Sequence, residues 1–286
     1  MNNVLRTLIC DDQVSLTLCD TTSIVQEAAK KHGTSPCSTR LLGEFLSVAA
    51  FMSASLKEAR GEISFSVKCD GAAGDINVSG NQSLHLRGYV DNGDLHSCDN
   101  GSALGNAGSL TVIRDDGYSR PFVGACAFPE NVTVASLFEE YYRVSEQLPT
   151  YFACCVQLDE EGKVVFAGIA VLQPLPFADD RVVDALPKGD ALQAIVEKIP
   201  VHGLEMTAKE YFSANLDGIT WREATYTCHC SRLRLCEVLV SLGEEQMRQI
   251  IREDGELRVH CHYCNTDYVF TDADADKIFY RKKKEV

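Results

Sequence analysis

Four cysteines near the C-terminus constrain this chain more than any other feature. They stand as Cys228-x-Cys230 in "YTCHCSRLRL" and Cys261-x-x-Cys264 in "RVHCHYCNTDY", with thirty residues between the pairs. Two close pairs of thiols suit a single tetrahedral zinc ion, one per chain. The surrounding segment, residues 227–286, is too short to rest on an apolar core alone, so a metal staple meets a physical need. Ser231 is expected to cap a helix over "RLRLCEVLVSL", and Ser241 with Glu244 to form a capping box for "EEQMRQIIRE". Asp254-Gly255 should turn the chain into a strand, "ELRVH", and the Cys-x-x-Cys turn should lead to a second strand, "DYVF". His229, His260 and His262 are read as neighbours of the site rather than ligands. Cys236 is read as packing on the first helix.

Three chemistries compete for these cysteines. Cys-x-x-Cys alone suits a thioredoxin-type dithiol, but no parallel βαβ pattern surrounds it. A permanent zinc staple would support a constitutive protein- or RNA-binding module. A switch is the third. Metal-bound thiols are deprotonated and nucleophilic, so an oxidant that consumes them releases the ion. Zinc binding in small modules contributes roughly 10–16 kcal/mol, against roughly 5–15 kcal/mol for a whole folded domain. Losing the ion should therefore unfold the module.

The rest of the chain is acidic and mixed in pattern. Its 286 residues suggest about two domains. A formal net charge of -14 repels phosphate backbones and anionic surfaces, so neither nucleic acid nor a membrane is expected as a partner. Arg281, Lys282, Lys283 and Lys284 are read as a solvated basic tail. "MNNVLRTLICDD" lacks a secretory pattern, and thirteen cysteines point to a reducing, cytoplasmic setting with mostly free thiols. The nine outside the paired motifs, Cys154, Cys155 and Cys236 among them, are read as small buried hydrophobes. There is no phosphate-loop or dinucleotide fingerprint and no Ser, His and Asp set, so no catalytic residue is assigned and an enzyme is not expected. His32, His85, His96 and His202 stand alone.

Residues 1–176 read as an α+β domain built on antiparallel strands. Hairpins turn at Asp11-Asp12, Asp116-Gly117 and Glu161-Gly162. A meander occupies the glycine-rich stretch after Gly61, and an apolar core helix spans about 38 to 59. Residues 177–226 read as a helical linker with nine acidic and five basic residues. Its apolar positions are too few for an independent core, so it must dock on a neighbour. Residues 227–286 form the small zinc-binding C-terminal domain.

The block "CHCSRLRLCEVLVSLGEEQMRQIIREDGELRVHCHYCNTDYVF" closely resembles the C-terminal redox switch of the bacterial heat-shock protein 33 family. The helix "YYRVSEQLP" and the segment "GLEMTAKEYF" fall in matching positions. The resemblance implies a redox-activated, ATP-independent holdase whose reduced, zinc-bound form is inactive. Oxidative stress would form the disulfides Cys228–Cys230 and Cys261–Cys264, expel zinc, unfold the linker and produce homodimers that hold unfolded client proteins. The four cysteines alone leave three connectivities open. The additional cysteines depart from the usual family pattern.

Overall fold

The structure is a computed structural model that describes residues 2–282, with all side chains among them except those of Asn100, Arg281 and Lys282. The basic run expected at 281–284 lies outside the described side chains. The chain divides into two compact units, Met1–Thr227 and Cys228–Val286.

In the large unit, strands β1 (Val4–Ile9) and β2 (Val14–Asp20) are followed by helices α1 (Thr22–His32) and α2 (Pro36–Ala54). Strands β3 (Glu62–Cys69), β4 (Ile76–Asn81) and β5 (His85–Val90) lead to the short helix α3 (Asn100–Leu104). Strands β6 (Gly108–Asp115) and β7 (Phe122–Ala127), helix α4 (Val134–Tyr141) and strands β8 (Tyr151–Leu158) and β9 (Val164–Pro174) come next. Helices α5 (Asp180–Ala185), α6 (Asp190–Val196) and α7 (Ile199–Phe212), then strands β10 (Thr220–Arg222) and β11 (Thr225–Tyr226), end the unit. The strands form a five-stranded sheet in the order β10-β1-β2-β9-β8 and a six-stranded sheet in the order β11-β5-β4-β3-β6-β7.

The α+β class and the antiparallel hairpins agree with the sequence pattern. One pairing differs: β11 runs parallel to β5. The linker delivers β11 to the sheet edge from far along the chain, so no tight turn sets its direction. Helix α2 is shorter than its apolar run suggested. Ser35 caps it by accepting from the Ser38 N–H, with Pro36 in its first turn.

The core follows from the burial of α2. Nearly its whole length is buried, and its Phe45 and Phe51 meet Phe65, Phe138 and Phe152 edge-on or tilted. This core joins one face of the five-stranded sheet, through Val4, Ile169 and Val171, to the inner face of the six-stranded sheet, through Phe65, Val67 and Val112. The opposite face of the five-stranded sheet carries Leu5, Leu16, Leu18, Ala170 and Leu172. The linker helices cover it with Leu192, Val196, Ile199, Leu204, Ala208 and Phe212.

These linker helices are weak on their own terms. Helices α5 and α6 have six and seven residues, well below the length at which an isolated helix persists. Neither α6 nor α7 has a side-chain N-cap. Gly203 breaks α7 with a left-handed φ of 73°, a conformation that glycine adopts without strain. Helices α5, α6 and α7 are thus held by the sheet beneath them.

In the small unit, α8 (Arg232–Leu242) and α9 (Glu244–Asp254) precede a hairpin of β12 (Leu257–Cys261) and β13 (Thr266–Phe270), and α10 (Asp272–Lys282) closes it. Ser231 caps α8 as expected, accepting from the Arg234 N–H. The capping box expected at α9 does not form. Gly243 occupies the cap position, and the Ser241 hydroxyl donates to the Val238 carbonyl inside the preceding helix. Leu239, Met247, Ile251, Leu257, Phe270 and Phe279 form a small core of their own.

Candidate metal centre

The four cysteines arrive from two places. Cys228 and Cys230 precede the N-terminus of α8. Cys261 ends β12, and Cys264 lies in the turn, where its N–H donates to the Cys261 carbonyl at 3.3 Å. Asn265 carries the chain out of that turn with φ 53°, a left-handed conformation that asparagine tolerates. The strand register pairs Cys261 with Thr266, which fixes the knuckle at the hairpin tip.

All four sulfurs lie within 4.8 Å of one another. Cys228 Sγ is 3.7 Å from Cys261 Sγ, and Cys230 Sγ is 3.1 Å from Cys264 Sγ. Sulfurs held about 2.3 Å from a tetrahedral ion stand roughly 3.8 Å apart. The spacing therefore fits a single metal ion, and an all-thiolate donor set favours soft or borderline ions. Each of the four is half-buried, open enough to exchange with solvent. Partial burial, followed by hydrogen bonding among the crowded thiols, pushes the Cys261 thiol up to about 12. A cation among the sulfurs reverses that cost and favours the thiolates.

The converging set contains no histidine among the described residues. His260 instead pairs through Nδ1 with Asp267 Oδ1 at 2.7 Å and stacks edge-on against His262. Cys236 lies outside the set, on α8 against the small core.

Two contacts at the site had no mark in the spacing. The Tyr268 hydroxyl meets Cys230 Sγ at 3.2 Å, and that contact is the main cause raising the phenol to about 12. Arg232 clamps the hairpin to the start of α8. It donates to the Val269 carbonyl at 2.8 Å, pairs with Asp274 at 2.9 Å and lies 4.3 Å over the Phe270 ring. A period-two strand ending in "DYVF" could have placed Tyr268 near the site. Nothing local marks Arg232.

Comparison with known proteins decides the family. Residues 2–271 match the Hsp33 protein family. This chain belongs to the Hsp33 family. The 33 kDa chaperonin of Acetivibrio thermocellus is 35% identical over 268 residues, covering 89% of this chain and 88% of the relative. The 33 kDa chaperonin of Lachnoclostridium phytofermentans is 28% identical over 281 residues, covering 94% of each. The crystal structure of the Thermotoga maritima 33 kDa chaperonin, also called Hsp33, shares the fold. It has a TM-score of 0.81 at 22% identity and covers 99% of both chains. Among the described residues of this Hsp33-family chain, no helix is long and apolar enough to cross a membrane.

Outside the cluster, Cys19, Cys126, Cys154 and Cys155 are buried, as small hydrophobes should be. Five others depart from that expectation, Cys69 and Cys236 by being only half-buried. Cys10 is exposed in the β1–β2 turn, and Cys37 is joined to Cys98 by a disulfide.

Proposed function

We propose that this protein is a redox-activated, ATP-independent holdase of the cytoplasm. In this reading the four cysteines are both zinc ligands and oxidant sensors, and unfolded proteins are its clients. The convergence of the four sulfurs in a half-buried cluster carries the proposal. Bound to Cys228, Cys230, Cys261 and Cys264, one zinc ion would supply the cross-link that the small core lacks and would hold all four thiols as thiolates.

The cysteines do the sensing. Each disulfide formed from two thiolates gives two electrons to the oxidant, and a peroxide takes up two protons from solvent and leaves as two waters. We assign the pairs as Cys228–Cys230 and Cys261–Cys264. With the thiolates consumed, no ligand set remains.

We take residues 1–176 as the stable domain, 177–226 as the relay and 227–286 as the switch. The covalent route between switch and relay is short. Cys228 follows Thr227, whose N–H donates to the Leu86 carbonyl at 2.8 Å, and the two-residue β11 comes just before it. Tyr226 anchors this strand further, its hydroxyl meeting His32 Nε2 at 3.0 Å and donating to the Gly88 carbonyl at 3.1 Å, so unfolding beyond Thr227 must break these bonds to reach the relay. The relay above is a set of helices over an apolar sheet face, of which α5 alone has a side-chain N-cap, from Asp179. Its release exposes that face and the helices' own apolar residues, which is a surface suited to unfolding clients. The linker's acidic excess keeps the exposed form dissolved. Homodimers of the oxidised form would bury part of the same surface.

A client-aggregation assay tests this reading. The reduced, zinc-loaded protein should leave a heat-unfolding client to aggregate, and the form treated with peroxide at mild heat should suppress aggregation without ATP. Equal protection by both forms would favour a constitutive binding module instead.

A further inference from the structure

A second pair of sulfurs sits far from the cluster in sequence. Cys37 and Cys98 are bonded across 61 residues, with their Cα atoms 4.5 Å apart. Cys37 is the second residue of the nineteen-residue α2, and Cys98 is exposed in the loop before α3. Both line a cavity of about 550 Å³ whose other walls include Arg40, Cys154 and Cys155.

The loop is docked in two different ways. Its first half is tied to α2 by hydrogen bonds. The Ser35 N–H donates to the Gly93 carbonyl at 2.8 Å, the Ser38 hydroxyl donates to the Asn92 carbonyl at 3.0 Å, and the Leu95 N–H donates to that hydroxyl at 3.0 Å. Leu95 is buried. Residues 96–99 are exposed. Among the described residues, their one tie to α2 is the disulfide.

The two sulfurs are not equivalent. Cys37 sits where the first-turn N–H groups and the positive end of a long helix favour a thiolate. Arg40 stands one turn on, roughly 4.5 Å along the axis, and Glu44 roughly 10 Å along it, so the favourable charge is the nearer one. Glu197 and Glu44 both act on Cys155 at the other wall. Cys154 and Cys155 are buried and their thiols are raised, which leaves them poor competitors for the chemistry.

We propose that Cys37 and Cys98 form a second, reversible thiol–disulfide couple, in which Cys37 is the reactive thiol and the bond clasps residues 96–99 to the first turn of α2. A peroxide oxidises the Cys37 thiolate to a sulfenic acid, losing hydroxide. The Cys98 thiol attacks that sulfur, the S–S bond forms, and the sulfenic oxygen leaves as water. The pair loses two electrons and the peroxide ends as two waters. A dithiol reductant reverses the step by attacking the exposed Cys98 sulfur, with the Cys37 thiolate as the better leaving group. The couple requires nothing of the four-cysteine cluster, so it holds whether or not the proposed switch does.

The test uses the full-length protein, reduced and then treated with hydrogen peroxide. Peptide mapping should find the Cys37–Cys98 cross-link after oxidation, lost again on adding dithiothreitol, in the parent and in Cys261→Ser alike. Dimedone should trap a sulfenic acid at Cys37 in Cys98→Ser but not at Cys98 in Cys37→Ser. In the reduced parent at pH 7, iodoacetamide should alkylate Cys37 at least about threefold faster than Cys98, since a lower pKa raises the thiolate fraction more than it lowers nucleophilicity. Deuterium uptake at residues 96–99 should rise on reduction. A faster Cys98, a cross-link that never forms, one that needs an intact cluster, or unchanged uptake would each overturn the proposal.

Discussion

The two units use the same side chain in opposite ways. In the large unit, Cys19, Cys126, Cys154 and Cys155 are buried among carbon. Burial pushes Cys19 up to about 12, Cys126 and Cys155 up to about 11, and Cys154 well above its ordinary value. In the small unit, four half-buried cysteines face one another. The first group fills space, and the second is disposed to hold a metal ion. The difference lies in what each sulfur meets, not in the number of cysteines. The units also differ in what supports them. The large unit packs two sheets about α2, whereas the small one has eight buried apolar residues among its described residues.

The largest contrast should come from the metal. Chelation, or Cys261→Ser, removes a contribution on the order of 10–16 kcal/mol. The small unit should lose its structure while the large sheets persist, as read by amide NMR. Partial client protection without oxidant should accompany this in Cys261→Ser. An inert, fully folded variant would contradict the proposed coupling.

Core truncations sharpen the comparison. Phe270→Ala should cost about 3–5 kcal/mol and weaken zinc retention, because the ring is fully buried beneath Arg232. Leu192→Ala, in the linker, should cost about 2–5 kcal/mol of docking. It should leave zinc affinity unchanged and lower the oxidant dose needed for client protection. Equal zinc loss in both variants would erase the distinction.

The buried thiols make a pH prediction. The folded pKa of Cys19 is about 12 against an ordinary 9.0, so the folded state keeps a proton that the unfolded state releases. Its contribution is fully present below about pH 9 and is lost as pH rises toward about 12. Alkaline denaturation should steepen across that window. Native-state alkylation at pH 8 should spare Cys19 and Cys154. The smallest effect should come from Ser231→Ala, which removes the cap of α8 and costs the small unit about 1 kcal/mol in a denaturant melt.

Some of this was written in local pattern and some was not. The hairpins, the α2 core helix, the Ser231 cap and the convergence of Cys228, Cys230, Cys261 and Cys264 follow from period, turn chemistry and spacing. The hairpins, the helix and the cap depend on residues close together in the chain, and the cluster on two close pairs thirty residues apart. The false capping box at Ser241 shows the limit, since a neighbouring carbonyl competed for the hydroxyl and won. The disulfide between Cys37 and Cys98 joins residues 61 apart, and the parallel β11 returns from the far side of the linker. Neither leaves a local trace. Tyr268 and Arg232 meet the site only once the hairpin has folded onto α8.

The central claim is that the cluster is built to open. The most direct test is zinc release measured beside disulfide mapping on one sample, before and after peroxide with mild heat. The account predicts one zinc per chain in the reduced protein, and its release in step with the appearance of Cys228–Cys230 and Cys261–Cys264. Zinc retained while clients are protected, or released with the four thiols still free, would contradict it.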